Sequence, residues 1–492
     1  MLDQSQTPIL SALQASSQRP HAAFYAPGHK RGQGASLRLR ELLGEAALAA
    51  DLPELPELDN LFAPEGVILE AQELAAEAFG ADRTYFLANG STCGIEAAIL
   101  ATCGPGDKII VPRNAHRSVV AGLVLAGAMP VFVAPEYSSD LGLVLGVKAE
   151  TVAAALAHHP DTRAVLLVSP TYHGVCSDVG AIAALAHSHG IPLLIDEAHG
   201  PHFAFHPDLP TPALALGADL VVQSTHKVLG ALSQAAMLHT RGNRLAQPRL
   251  QAALQLTQST SPNALLLASL DAARHQMATE GKALLSNTLD LAQQLRRELA
   301  AIPGLGVMDT AVTAFSSVSD LDLTRLTVDV SGLGLTGLEA DDILHNELGV
   351  TAELPELRHL TFIVSLGNAL EDVRHGIAGF QTLAEQSAGQ SAGHLAAVNT
   401  GWQQLPIEQD VSFTLPVVSP REAFFAAIET VGASAALGRI SADTISAYPP
   451  GIPAIVAGEL IGEAAIANLT VIKQQGGYVT GGDAPEKFRV LA

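Results

Sequence analysis

Val221-Val222-Gln223-Ser224-Thr225-His226-Lys227 is an apolar run that ends in two hydroxyls, an imidazole and an amine. Its first residues suit a buried strand; its last ones carry chemistry. A lysine at a strand end is held by a rigid element and stays able to react. It can form a Schiff base with a carbonyl compound, and the neighbouring hydroxyls and imidazole suit a phosphate. The plain alternative is a solvated lysine in a strand-to-loop turn, and other segments have to separate the two.

Outward from that stretch, strand and helix signals alternate. Lys108–Pro112, Val131–Val133, Arg163–Ser169, Pro192–Ile195, Ala218–Gln223 and Ala235–His239 are short runs with strand character. Helical patterns lie between them: one opening at Ser118, then Val152–His158, then Val179–His189, which stops at Gly190 in a C′ position. Earlier in the chain, Ile68, Ala71, Leu74, Ala75 and Ala78 recur at three and four within Val67–Phe79, and Thr84–Ala88 reads as a strand. Such alternation, with continuously apolar strands, predicts an α/β fold built on a large, mainly parallel sheet covered by helices. Ligands of such sheets collect beyond the carboxyl ends of the strands.

Polar clusters sit at those ends. Asn89-Gly90-Ser91-Thr92-Cys93-Gly94 joins a strand to an apolar helix expected from Ile95 to Thr102. Free N–H groups and the helix dipole favour an anion at such a junction, although Ser91 is also an ordinary N-cap residue. Arg113-Asn114-Ala115-His116-Arg117 is a turn, and His116 could be no more than a surface turn residue. Asp196-Glu197-Ala198-His199-Gly200 follows its strand directly, and Asp196 could serve only an Asx-type turn.

Composition narrows the function classes. The chain has 492 residues, a formal net charge of -22, 48% hydrophobic and 4% aromatic residues. The negative charge argues against nucleic acid or an anionic membrane as partner. Cys93, Cys103 and Cys176 are sparse and lack zinc spacing, so no metal site is expected and a reducing cytoplasm is the expected compartment. The start MLDQSQTPIL lacks the pattern of a signal peptide. The longest uncharged apolar run, Val119 to Pro135, is shorter than the ~20 residues of a spanning helix and is broken at Gly127 and Pro130.

The organisation expected is an N-terminal arm over 1–23, with a helix around Thr7–Gln14, and a large domain over 24–303. A smaller α/β domain follows over 304–384, with strands Leu326–Val330 and Leu360–Ser365 and helices over Gly337–Leu348 and from Ala369. The low-complexity EQSAGQSAG stretch reads as a linker over 385–400, and a C-terminal α+β domain with a helix-rich start fills 401–492. Residues 51–66 carry Pro53, Pro56 and Pro64, too many for a helix interior, and read as an ordered loop.

Four items converge: an anion site at Ser91–Cys93, the imidazole of His116, the carboxylate of Asp196 and the amine of Lys227. Pyridoxal 5'-phosphate requires this set. Its phosphate needs a helix N-terminus, its ring a flat partner, its pyridine nitrogen a carboxylate and its aldehyde a lysine. Asp196 and Lys227 are 31 positions apart, a workable separation for neighbouring strand ends.

At these residues the chain resembles the ornithine/lysine/arginine decarboxylases, which have the aspartate-aminotransferase (type I) fold. Further segments carry the likeness: Phe24–Gly32 with its Pro-Gly-His-Lys run, Leu58-Asp59-Asn60-Leu61 with Pro64-Glu65-Gly66, and Tyr448–Pro453 with Gly458-Glu459. The resemblance implies that Lys227 holds the cofactor's aldehyde, Asp196 pairs with the pyridine nitrogen, and His116 stacks on the ring. It implies that Ser91, Thr92 and Cys93 lie at the phosphate, with Cys93 contributing backbone where relatives often carry a hydroxyl. Ser224 and His226 would close the phosphate or ring environment, and His199 stands where some relatives carry tryptophan.

The implied reaction is decarboxylation of a small cationic amino acid to its amine, as in polyamine biosynthesis, with arginine preferred over lysine or ornithine. A buried cation needs a carboxylate, and Asp59, Glu65 and Glu459 are the candidates; surface solvation is the plain alternative for each. An aminotransferase of this fold clamps the substrate carboxylate with an arginine, where this chain aligns Ile363; Arg358 is close by in sequence. An aminotransferase or C–C lyase is the alternative enzyme, and an inactive regulatory paralogue the non-enzymatic one. With the family-like segments beginning near residue 24, a homodimer or dimer of dimers is expected.

Overall fold

The computed structural model describes residues 2–387, 413–448, 453–474 and 477–492. The chain forms two compact units, one made of the residues up to Ala101 with Asp196–Leu285, the other of Thr102–Ile195 with Ser286–Ala492.

In the first unit the strand Ala236–Thr240 pairs on one side with Arg83–Leu87 and on the other with Leu220–Gln223. Both pairings are antiparallel, a local departure from the parallel expectation. The connection from Lys227 to Ala236 contains no helix and is too short for the crossover that a parallel neighbour requires. Leu87 faces Ala236 and Gln223 faces Met237, so the two outer strands end at the same edge. The chemistry of this unit gathers at that edge.

The helix Val67–Phe79 has the bounds its periodicity predicts, and Gly80 ends it at φ +70°. The next helix, Gly90–Thr102, begins five residues before the expected Ile95. Gly90 adopts φ +76°, which lets the chain turn from strand to helix at once and draws Ser91, Thr92 and Cys93 into the first turn. Gly94 permits the helix to lie on the sheet. A Cβ at that position would stand 2.7 Å from Leu87 Cδ1 and 2.8 Å from Val222 Cγ1. The N-terminal arm forms the helix Pro8–Gln18. It is tied down by the fully buried pair Asp271–Arg274, in which Asp271 accepts from Ile9 N–H and Arg274 donates to the carbonyls of Gln4 and Gln6.

The second unit, which holds the strand Leu193–Asp196 up to Ile195, carries strands in the order Leu193–Asp196, Thr162–Val168, Lys108–Pro112, Met129–Val133, Phe413–Thr414. Lys108–Pro112 runs parallel to both Thr162–Val168 and Met129–Val133, and Phe413–Thr414 closes the edge antiparallel. The helices Arg117–Ala126, Ala149–His158 and Val179–Ser188 lie between these strands in sequence, as parallel neighbours demand. Together they give the large, mainly parallel sheet that the apolar runs predict.

A smaller antiparallel sheet pairs Gly306–Val307, Arg325–Asp329, His359–Ile363 and Leu354–Pro355, and packs with Gly337–Asn346 and Leu370–Ser387 around Leu326, Val328, Leu360 and Phe380. The C-terminal segment has its own core around Ile445, Ile455, Leu469 and Phe488. Among its described residues the strand Phe413–Thr414 comes first, then the helix Pro420–Phe425, the strand Ile428–Gly432 and the short helix Ala433–Ala436. Residues 385–387 continue a helix, while the rest of the expected linker and positions 449–452 of the proline-rich turn lie outside the described residues. Among the described residues no helix is long and apolar enough to cross a membrane.

Candidate active site

The strand Leu220–Gln223 is buried throughout and gives way at once to the 3-10 turn Thr225–Lys227. Ser224 O accepts from Lys227 N–H at 3.1 Å. Ala235 O accepts twice from His226, from its backbone N–H at 3.2 Å and from Nδ1 at 2.9 Å. A carbonyl can only accept, so Nδ1 of His226 carries the proton. These ties leave the turn one arrangement, with Lys227 half-buried at its end.

The amine of Lys227 lies 3.0 Å from Nε2 of His199, itself 3% exposed. Asp196 is also buried, and one of its oxygens accepts from Ala198 N–H at 3.2 Å. Burial pushes its pKa up, while the positive charge of Lys227 works in the opposite direction. Ser224, wholly buried, donates to Ser91 Oγ at 2.7 Å, which joins the lysine turn to the first turn of the helix Gly90–Thr102. Thr92 is exposed beside it. Cys93 points inward and donates to Gly90 O, and burial lifts its thiol to about 12, so it stays protonated at neutral pH.

A chain of buried hydrogen bonds runs among the neighbours of these residues. The hydroxyl of Thr84 and Nδ1 of His239 are 2.8 Å apart, His239 Nε2 and Gln223 Oε1 are 3.1 Å apart, and Gln223 Nε2 donates to Glu197 at 2.7 Å. Ala213 N–H donates to the second oxygen of Glu197. Burial lifts Glu197 to about 7 and holds His239 down to about 3. With His239 neutral and its Nε2 donating, each donor points toward Glu197, which fixes both the amide orientation and the tautomer. Gln223 and Glu197 directly adjoin Ser224 and Asp196 in sequence, so this chain holds those backbones in register. Composition could have flagged it: Thr84, Gln223 and His239 are polar residues inside apolar strands.

In the second unit His116 is the N-cap of the helix Arg117–Ala126, its Nδ1 accepting from Ser118 N–H at 3.2 Å. That bond fixes the ring's orientation and leaves the proton on Nε2. Arg113 makes a two-pronged ion pair with Glu459. Both oxygens of Glu459 are thereby engaged, and one also accepts from Val456 N–H at 2.8 Å.

The acidic loop resolves in a different way. Asp59 adopts φ +67° and its carboxylate accepts four backbone N–H groups, from Asn60, Glu65, Gly66 and Ile68. Burial raises its pKa, and the four N–H groups outweigh burial and hold it below the usual carboxylate value. Asp59 therefore organises the turn into the helix Val67–Phe79. Glu65 is exposed. Ile363 faces Arg325 across the small sheet; Arg325 is fully buried near Asp322, and Arg358 bonds Asp329 at 2.6 Å. Among the described residues no group of three or more His, Cys, Asp or Glu could hold a metal ion.

The first unit thus brings together an amine, a buried carboxylate with one N–H partner, and two serines at a helix N-terminus. Such a set fits a ligand with a carbonyl, a protonated ring nitrogen and an anionic group. The cation would relieve the burial of Asp196, and the helix N–H groups would meet the anion.

The sequence model of a family described as "Orn/Lys/Arg decarboxylase, major domain" matches residues 7–321, and that of its C-terminal domain matches residues 407–478. The chain is 39% identical to an arginine decarboxylase of Bacillus subtilis over 94% of its own length and 92% of the relative's. It is 38% identical to an arginine decarboxylase of Halalkalibacterium halodurans over 100% and 98% of the two chains. The solved structure of the lysine decarboxylase LdcF of Francisella novicida superposes with a TM-score of 0.83 at 22% identity, covering 99% of this chain and 81% of that one.

Proposed function

The chain belongs to the ornithine/lysine/arginine decarboxylase family, and from that premise we propose that it removes the α-carboxylate of a basic L-amino acid, arginine first, with pyridoxal 5'-phosphate as cofactor. The two arginine decarboxylases named above match it nearly end to end, which supports arginine over lysine or ornithine. The observation that carries the site is the pairing of Lys227 with His199 close to the buried Asp196.

When bound, the cofactor supplies an electron sink for the pair left as the bond from Cα to the carboxylate breaks. The chain's own residues do the rest. Lys227 offers the amine for the cofactor's aldehyde, and His199 orients that amine. Asp196 favours a proton on the ring nitrogen. Ser91, Thr92 and Ser224, with the N–H groups of the helix Gly90–Thr102, bind the phosphate, and Cys93 adds backbone alone. His226 steadies the turn, and His116 offers the flat face. Of the three carboxylates considered for the distal cation, Asp59 and Glu459 are spent on internal bonds, so Glu65 takes that role in this reading.

Arg358 is held by Asp329 and Arg325 is buried near Asp322, so neither supports the carboxylate clamp of an aminotransferase. A homodimer or dimer of dimers is part of the proposal, supported by the exposed Phe24, Leu37 and Leu42 of the first unit. A cytoplasmic location is proposed as well, from three cysteines that are all buried and outside any disulfide. The test is a product screen with arginine, lysine and ornithine, following CO2 and amine. Agmatine release is expected; keto-acid formation in its place overturns the reading.

A further inference from the structure

We propose that the Arg113–Glu459 ion pair is a positioning device through which the C-terminal segment sets the imidazole of His116. Arg113 directly follows the strand Lys108–Pro112, and its N–H donates to Val133 O at 2.9 Å. Ala115 N–H donates to Pro112 O, and His116 comes next as the helix N-cap. The backbone between the guanidinium and the imidazole is thus short and tied at Arg113 and at Ala115.

The guanidinium itself is held on several sides. One amino group bonds Glu459 Oε1; the other donates to Glu459 Oε2 at 2.8 Å and to Ala454 O at 3.0 Å. Its carbon stands 5.1 Å from the centre of the Phe132 ring. The two side chains are 16% and 13% exposed, so the pair is largely shielded from water and salt. Glu459 is itself fixed, by Val456 N–H and by Gly458, where φ is +95° and any Cβ would collide with Val418 O.

A second contact grips the same helix at its other end. Arg421 donates to Leu125 O at 2.8 Å and to Val124 O at 3.3 Å, in the last turn of Arg117–Ala126. A cation suits that end of the helix. The C-terminal segment therefore brackets the helix that His116 begins, across 346 positions of sequence at the Arg113 end. Glu459 acts through Arg113 on His116 and does not itself touch substrate.

The inference rests on the proposed role of His116 at the cofactor ring. Full-length wild type, Glu459→Gln, His116→Ala and the double variant are compared for kcat and KM with arginine and for pyridoxal phosphate affinity. Glu459→Gln is expected to lower kcat by roughly 10- to 100-fold with KM little changed, as a displaced catalytic group does, and to weaken cofactor binding. On the His116→Ala background the same substitution should cost less than about twofold. Equal losses on both backgrounds, or wild-type kcat in Glu459→Gln, would overturn the inference. Should Glu459→Gln fail to fold by circular dichroism, Arg113→Lys takes its place with the same expectations, since lysine keeps the charge and loses the fork. A wild type that neither binds pyridoxal phosphate nor releases CO2 removes the underlying function instead, and that measurement comes first.

Discussion

Gly94→Ala sets two effects of opposite sign against each other. Gly94 lies inside the helix Gly90–Thr102, where alanine is favoured by about 1 kcal/mol in a helix interior. The new Cβ would stand 2.7 Å from Leu87 and 2.8 Å from Val222, where ordinary contacts begin near 3.4 Å. Helix and sheet must part by about 0.7 Å, and overpacking of a dense core costs about 1–3 kcal/mol. Two contacts this short, from opposite strands, put the packing cost in the upper part of that range, leaving a net loss of up to about 2 kcal/mol. The same displacement stretches the Ser224–Ser91 bond, now 2.7 Å, beyond normal length. Losing one neutral hydrogen bond, worth about 1 kcal/mol, should weaken phosphate-dependent cofactor binding by up to about tenfold. Urea unfolding and titration with pyridoxal phosphate measure the two effects, with Gly462→Ala as control because nothing lies within 4 Å of its Cβ position. Unchanged or increased stability with wild-type cofactor affinity would refute the claim that Gly94 exists for close packing at the site.

Asp59→Asn replaces one acceptor oxygen by a donor that faces two backbone N–H groups, so it should destabilise the 51–66 loop by about 2 kcal/mol, allowing for partial exposure; limited proteolysis within that loop reads the effect. Asp196→Asn should lower kcat by more than about a hundredfold, the scale of a lost proton-holding group, while the fold survives by circular dichroism. His239 is held at about 3 against an ordinary 6.5, so the stability it contributes is full above about 6.5 and is lost as pH falls toward 3. In His239→Gln the urea midpoint should therefore decline less steeply on the acid side.

Much of the fold could be read from local pattern. The helix Val67–Phe79 and the strand Lys108–Pro112 have the predicted bounds, because spacing and apolar runs decide such elements. The start of the helix at Gly90 was hidden, since asparagine, glycine, serine and threonine signal a turn as readily as a first helical turn. The antiparallel strand Ala236–Thr240 was hidden too: an apolar run does not state its direction. At the site, the proximity of Asp196 to Lys227 follows from their places at strand ends, and the structure gives His199 a definite partner in Lys227. Asp59 and Glu459 show what sequence could not reveal. A carboxylate in a loop looks the same whether it awaits a cation or already accepts four N–H groups, and Arg113 finds Glu459 only when the chain folds.

The central claim is that Lys227 holds the cofactor. Reduction of the pyridoxal phosphate-loaded protein with borohydride, followed by digestion and mass analysis, tests it directly. A single pyridoxyl adduct is expected, on the peptide that contains Lys227. An adduct on a different lysine, or none on fully loaded protein, would contradict it.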